Sequence, residues 1–375
     1  MDYFLLLFEL ILFINLFFLF VSISNFLFLK LTSSYKKPSK YPRISILVPA
    51  RNEEKNIAKC VDSLLKIDYP DYEVIVLNDN STDMTEDILK KYTHDPKFKY
   101  YNGKKLPSDW KGKPFACEQL LRLASGEICF FTDADTVHSK NTLNFLLGKM
   151  EEYNVDFISG FAFQKAITIG EKMIIPSLYL LTGLFLPLFL IPLFKNSLFS
   201  FAIGQIIFVK REKLLQIGGF ELVKNEVVED MALVRKMKKS GFKTIFLDLK
   251  DYVECRMYDS FYRGFNGISR VIFPAIGKSY LLLLGLIGVV FFSILFPISY
   301  ILLNYGSETY YIKLALYSIL IFLAGWGINL FERRIGLVPF ILYPLFFLNL
   351  IVMALYSAFK IGTGKGIVWK ERFVK

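Results

Sequence analysis

Histidine is almost missing from this chain: His94 and His138 are the only two among 375 residues. That excludes a histidine-rich metal centre and argues against a histidine general base. Cysteine is nearly as scarce. Cys60, Cys117, Cys129 and Cys255 lie far apart with no C-x-x-C pair, so neither a disulfide framework nor a zinc site is indicated. Cys129 falls in an apolar strand-like run and Cys60 in a helical pattern, and both read as small core residues. No basic stripe with interleaved aromatics stands apart from the apolar segments, which argues against nucleic acid as a partner. What the chain has in excess is apolar surface: 54% hydrophobic residues and 38 Phe, with a mean hydropathy of +0.41. That is too apolar for an ordinary soluble protein. The formal charge of +11 then marks a cytoplasmic membrane face in contact with anionic headgroups.

The apolar residues are concentrated in long runs. Tyr3 to Leu29 is long enough to span a bilayer, and it lacks the basic start of a cleaved signal peptide. Asp2 and Glu9 lie on one side of it and Lys30, Lys36, Lys37, Lys40 and Arg43 on the other. The positive-inside rule places the N-terminus outside and the following domain in the cytoplasm, at the plasma membrane. Three more runs, about Tyr280–Leu303, Tyr311–Leu330 and Leu337–Phe359, can each span. Pro339 and Pro344 make the last one suspect as a re-entrant segment, and the basic tail after one plus three spans falls on the side the rule disfavours. The expected organisation is an anchor over 1–30, a cytoplasmic domain over 31–255, an amphipathic interfacial segment over 256–279, a spanning region over 280–360 and a basic tail over 361–375. Within the cytoplasmic domain, the apolar but proline-broken stretch 174–194 is expected to lie in the membrane interface.

From Arg43 to about Phe163 the pattern alternates strand, loop and helix, which argues a parallel sheet with helices on both faces. Polar residues cluster just after the strands: Arg51 and Glu53, then Asp79 and Asp83, then Asp133 and Asp135. In open parallel sheets the ligand crevice lies outside the carboxyl ends of the strands. The third cluster is the most telling. The run Ile128–Phe131 ends in Thr132-Asp133-Ala134-Asp135-Thr136, and residues i and i+2 of an extended segment point the same way. Two carboxylates so placed repel unless a proton or cation sits between them. A hard ion, Mg²⁺ or Mn²⁺, suits a few carboxylates completed by phosphate oxygens. A solvated Asp-rich turn is the plain alternative for this motif taken alone. Further on, Glu229 and Asp230 open a helix that runs to Lys239, where the helix dipole alone accounts for acids in the first turn.

Taken in order, Val48-Pro49-Ala50-Arg51-Asn52-Glu53, Asn78-Asp79-Asn80-Ser81-Thr82-Asp83, Thr132-Asp133-Ala134-Asp135 and Glu229-Asp230 resemble the family two inverting nucleotide-sugar glycosyltransferases. The resemblance covers roughly Arg43 to Leu247. Leu106-Pro107-Ser108-Asp109-Trp110-Lys111-Gly112-Lys113-Pro114-Phe115-Ala116 resembles a membrane-bound branch associated with carotenoid and hopanoid glycosylation. Trp369-Lys370-Glu371-Arg372 resembles that branch's terminal Trp-Lys-Gly-Arg, with Glu371 replacing Gly.

The resemblance implies an α/β, Rossmann-like A-type glycosyltransferase domain with N-terminal and C-terminal transmembrane helices. It implies that Pro49, Ala50, Arg51, Glu53 and Asp79 line the nucleoside pocket, that Lys113 meets the diphosphate, and that Asp133 and Ala134 contact the donor. Asp135, with Asp133, would hold the Mg²⁺ or Mn²⁺, and Asp230 beside Glu229 would be the general base. The partners implied are a nucleotide-diphospho-sugar (a UDP-sugar first), a lipid acceptor and the membrane. Processive synthases of the family carry Gln-x-x-Arg-Trp after the base, whereas Tyr258 to Arg270 has no Trp, which favours a single transfer. A polysaccharide synthase and a polyprenyl-phosphate sugar synthase remain the enzymatic alternatives. A transporter is the alternative of another class, against which the apolar runs offer no acid apart from Glu332 beside Arg333 and Arg334.

Overall fold

The computed structural model describes residues 2–306, 309–364, 366–369 and 372–374. The β-branched and aromatic runs form β1 (Ile44–Ala50), β2 (Tyr72–Asn78), β3 (Phe98–Asn102), β4 (Ile128–Phe131), β5 (Thr136–His138), β6 (Phe157–Phe161), β7 (Phe163–Gln164), β8 (Ile207–Lys210), β9 (Thr244–Asp248) and β10 (Val253–Cys255). Burial along β1, β2 and β4 is nearly unbroken, as expected where helices cover both faces of a sheet. Seven strands form one sheet in the order β3-β2-β1-β4-β8-β6-β9, and β5, β10 and β7 form a second.

The expected parallel sheet is in fact mixed. β1 pairs in parallel with β2 and β4, but β8 runs antiparallel to both β4 and β6. A parallel neighbour requires a crossover over the sheet's face. β8 follows the long stretch 165–206 instead, and a direct crossover does not dictate its direction. Pro49 is tolerated inside central β1 for a geometric reason. On the β2 side the register runs on through Pro49 and Leu77, but the last β1–β4 pair is Leu47 with Phe131 and the Leu47 carbonyl takes the Thr132 N–H, so the missing N–H falls on the β4 side, past that strand's end.

Two units divide the chain. The strands β1 to β10 all belong to the unit Leu29–Lys165 with Phe189–Met257. The other unit comprises Met1–Phe28, Ala166–Leu188 and Tyr258–Lys375. Among the described residues, four helices are long and apolar enough to cross a membrane: Tyr3–Leu31, Tyr280–Leu303, Tyr310–Glu332 and Tyr343–Gly362. Pro339 and Pro344 each sit in the first turn of a helix, Val338–Ile341 and Tyr343–Gly362, where proline is at home. They mark helix starts and leave the long helix uninterrupted.

The stretch 174–194 is not one continuous element but several short ones, divided between the two units. Its first part is a 3₁₀ turn, Ile175–Tyr179, and a π turn, Leu181–Phe185, grouped with the long apolar helices. Ser22 Oγ and Asn329 Nδ2 donate to the Gly183 carbonyl at 3.1 and 3.2 Å, and Asn25 Nδ2 donates to the Leu186 carbonyl at 3.1 Å. Asn25 Oδ1 accepts the Leu188 N–H at 2.7 Å. Pro176 and Pro187 prevent a regular helix here, and irregular backbone among apolar helices needs such side-chain partners. The short helix Leu190–Leu193 belongs to the strand-bearing unit. Phe261–Ala275 forms one helix, capped by Ser260. In the tail, the backbones of Ile367–Trp369 and Arg372–Val374 pair antiparallel, while Lys370 and Glu371 lie outside the described residues.

Candidate active site

The loops after β1 and β2 are stitched into one rim. Arg51 Nη1 donates to the carbonyls of Asp79 and Asn80 at 2.8 and 2.7 Å. Asn52 Oδ1 accepts the Thr82 N–H at 2.8 Å, and Thr85 Oγ1 accepts the Glu53 N–H at 2.8 Å. Asn52 and Asn80 both take positive φ, 50° and 54°, a conformation that Asn tolerates through its short polar side chain. Glu53 and Asp79 are buried beside the ends of Pro49 and Ala50. These five predicted donor residues are therefore gathered by two adjacent strand ends, with Arg51 also bracing the loop.

The acidic turn differs from the expected extended geometry. The strand stops at Phe131, and the Asp133 carbonyl accepts both the N–H and the hydroxyl of Thr136, at 3.3 and 2.7 Å. This closes a turn over Ala134 and Asp135, so the i, i+2 rule for strands does not apply. The two carboxylates take different neighbours. Asp135 hydrogen-bonds the buried Cys255 thiol, whose pKa is driven up by burial first and by Asp135 and Asp133 next. Asp133 Oδ1 lies 2.6 Å from the Lys113 ammonium.

Lys113 occupies the first turn of the helix Gly112–Leu123. The preceding loop is anchored by Trp110, edge-on to Phe115 at 5.3 Å, and by a 2.9 Å ion pair between Asp109 and Lys224. These contacts aim the lysine at the acids from the first turn of a helix. Its Nζ is also 3.4 Å from Glu229 Oε1, and its side chain keeps 36% of its surface. Burial disfavours the charged amine, but Asp133 and Glu229 outweigh it and hold the pKa well above the usual lysine range.

Glu229 and Asp230 open the helix Glu229–Lys239. Asp230 Oδ2 accepts the Gly204 N–H at 2.6 Å and Oδ1 accepts the Met231 N–H at 2.7 Å. Burial and the charge of Glu229 push its pKa up to about 7, against the opposing pull of Lys113 and these two N–H groups. The far end of the same helix grips the strap of chain, residues 191–205, that leads to Gly204. Lys238 donates to the carbonyls of Ile191 and Phe194 at 2.6 and 2.7 Å and to that of Phe199.

Sequence reasoning missed the strap's end, Gly204-Gln205. Gly204 holds Asp230 through its N–H, while the Gln205 carbonyl accepts the Thr132 hydroxyl at 2.8 Å, which ties Asp230 to the acidic turn. Only the glycine before a strand-like run could have signalled it. A Cβ at Gly204 would lie 2.6 Å from Lys113 Nζ and 3.4 Å from Asp230 Oδ2. Gly204→Ala is expected to keep the fold, because a lysine end can move, but to displace the ammonium from Asp133. Thermal unfolding should shift by no more than about 1 kcal/mol, while turnover falls about tenfold. Unchanged kinetics would show that the crowding is harmless.

Among the described residues no group of three or more His, Cys, Asp and Glu could hold a metal alone. Mg²⁺ or Mn²⁺ needs only one or two protein carboxylates and completes its shell with ligand phosphates and water, a requirement that either acid of this turn meets by itself. The ammonium on Asp133 shows that this place already holds a positive charge.

Residues 45–218 match the family model described as Glycosyl transferase family 2. The chain is 32% identical over 122 residues to a probable glycosyltransferase, YdaM, of Bacillus subtilis, covering 32% of this chain and 29% of that protein. It is 41% identical over 97 residues to a beta-monoglucosyldiacylglycerol synthase of Nostoc sp., covering 25% and 20%. The chain thus spans under a third of these relatives. Among solved structures it resembles a Pyrobaculum calidifontis mannosyltransferase in complex with GDP-Man and Mn²⁺, with TM-score 0.53 and 14% identity over 94% of this chain and 99% of that one. That likeness concerns the fold.

Proposed function

We propose, from the match of residues 45–218 to the family 2 glycosyltransferase model, that the chain is an integral-membrane inverting enzyme. It transfers one sugar from a nucleotide-diphospho-sugar to a hydroxyl of a lipid, with its catalytic domain on the cytoplasmic side of the plasma membrane. The observation that carries this reading is the single cluster of Lys113, Asp133, Glu229 and Asp230, brought together from three distant segments. Such a cluster offers an anion-binding ammonium on one side and a base of raised pKa on the other.

Pro49, Ala50, Arg51, Glu53 and Asp79 form the nucleoside side of the site. Ala134 and Asp133 face the donor from the acidic turn. Asp230 accepts the proton of the lipid hydroxyl as its oxygen bonds to the sugar C1. The bond from C1 to the diphosphate breaks in line, which inverts the centre. Lys113 exchanges its carboxylate partners for the departing diphosphate, whose growing charge it stabilises. A divalent ion held by Asp135 and Asp133 would supply further charge neutralisation at the diphosphate. The helix Phe261–Ala275 and the apolar helices keep the domain at the bilayer, where a dissolved acceptor is concentrated. A phosphate acceptor would need no base, so the raised pKa of Asp230 favours a hydroxyl over a polyprenyl phosphate.

Purified full-length protein in lipid vesicles is to be screened with UDP-sugars first and GDP-sugars next, with and without Mn²⁺. The expected product is one sugar per lipid. A ladder of sugars or a phosphodiester product would select one of the other enzymatic readings, and inertness to every donor would end the proposal. Asp135→Ala is expected to make donor binding indifferent to Mn²⁺. Titration of the donor at several Mn²⁺ concentrations checks this, and undiminished Mn²⁺ dependence would remove Asp135 from the metal set.

A further inference from the structure

Beneath the acidic turn lies a buried group that the proposed chemistry does not use. His138 ends β5 and is 6% exposed. Its Nε2 is 2.8 Å from Thr136 Oγ1 and 3.2 Å from Thr132 Oγ1. The two hydroxyl oxygens also lie 3.0 Å apart, but each has a carbonyl within closer reach. Thr136 donates to the Asp133 carbonyl at 2.7 Å, and Thr132 donates to the Gln205 carbonyl at 2.8 Å. Since a hydroxyl has one proton, neither threonine has one left for the ring. The imidazole must be the donor, with its proton on Nε2. His138 Nδ1, buried and with no hydrogen-bond partner among the described residues, is then the bare nitrogen. The opposite tautomer would set the Nε2 lone pair against two oxygens and bury an unmatched N–H, the costlier arrangement. Burial also pushes the imidazole pKa down to about 3, so the ring stays neutral at physiological pH.

We infer that His138 is a positioning residue, fixed as the Nε2–H tautomer, whose one proton fastens the acidic turn to the strap that holds the base. Through Thr136 it sets the Asp133 carbonyl and hence the turn that presents Asp133 and Asp135. Through Thr132 it sets Gln205, next to the Gly204 N–H on Asp230. Its role in turnover rests on the glycosyl-transfer reading; the tautomer does not.

Two measurements test this. Full-length protein with ¹⁵N-labelled histidine carries only His94 and His138, so nitrogen spectra separate them simply. One histidine should show a protonated Nε2 and a bare Nδ1, unchanged from about pH 8 to about pH 5. A proton on Nδ1, or titration in that range, would overturn the inference. Next, His138→Gln, whose amide N–H stands near the Nε2 position, should keep the donor KM within about threefold. His138→Leu should raise it about tenfold and move the acid limb of the pH–rate profile. Equal effects of the two variants, with KM and the acid limb unmoved, would reduce His138 to a space filler. Thr136→Val, nearly isosteric, carries the same prediction if the leucine variant does not fold, and an unaltered KM in it counts equally against the inference. The tautomer is read without substrate, so its failure overturns this inference alone. A wild-type protein inert to every nucleotide sugar overturns the functional reading instead.

Discussion

Asp230→Asn is expected to slow transfer to a hydroxyl acceptor by about 10²–10⁴-fold, the usual worth of a positioned general base, while nucleotide-sugar affinity survives. The asparagine keeps an oxygen for the Gly204 N–H that Asp230 accepts at 2.6 Å, but its amide NH2 cannot accept the Met231 N–H now held at 2.7 Å, so the proton acceptor and one local hydrogen bond are lost while the loops after β1 and β2 are untouched. The pH dependence gives a second reading of the same residue. Burial and then Glu229 push Asp230 up to about 7, and only the unprotonated carboxylate can take a proton. The rate should therefore rise with pH through about 7 and level off above it. Below that point it should fall about tenfold per pH unit, as one proton occupies the base. Glu229→Gln removes a neighbouring negative charge that raises this pKa, so its acid limb should move to lower pH. Initial rates of the three proteins across pH, with donor binding by calorimetry, check this. An asparagine variant that transfers sugar at the normal rate would remove Asp230 from the chemistry.

Much of this arrangement was legible in the chain, and the parts that were not share a cause. The strands that deliver Ala50, Asp79 and Asp133 announce themselves as β-branched and aromatic runs ending in polar residues, because a strand buried on both faces leaves no other pattern. The long apolar helices are equally plain, since their length is set by bilayer thickness. The direction of β8 was not legible, because strand composition carries no sign and the chain before it is a long excursion. The acidic turn was misjudged because the strand rule was carried two residues too far; Thr136, which closes the turn, looks in the sequence like any strand threonine. Gly204, Gln205 and His138 act through a backbone N–H, a carbonyl and a tautomer. None of these has a residue-type signature, and each acquires meaning only when the fold sets it beside an acid or a hydroxyl.

Lys113→Met should lower turnover by about 10²–10³-fold, the cost of removing one preorganised stabiliser of a departing anion, and the loss should deepen as pH falls. The two parts have different origins. The first would be the loss of the ammonium proposed to meet the diphosphate. The second arises in the free enzyme, where Nζ lies 2.6 Å from Asp133 and 3.4 Å from Glu229 and lowers the Asp230 pKa against burial and Glu229. Without that charge the base holds its proton to higher pH, so the acid limb must move upward, opposite to its shift in Glu229→Gln. The same loss bares Asp133. Mn²⁺ without donor should then bind the methionine variant more tightly than the wild type, because ammonium and metal compete for one carboxylate. A lysine that did nothing but meet the diphosphate would raise KM and leave both the acid limb and donor-free Mn²⁺ affinity where they were. Lys113→Arg separates charge from shape. It should keep the acid limb in place yet turn over slowly, because a planar guanidinium cannot replace a compact ammonium between acids that converge on one point.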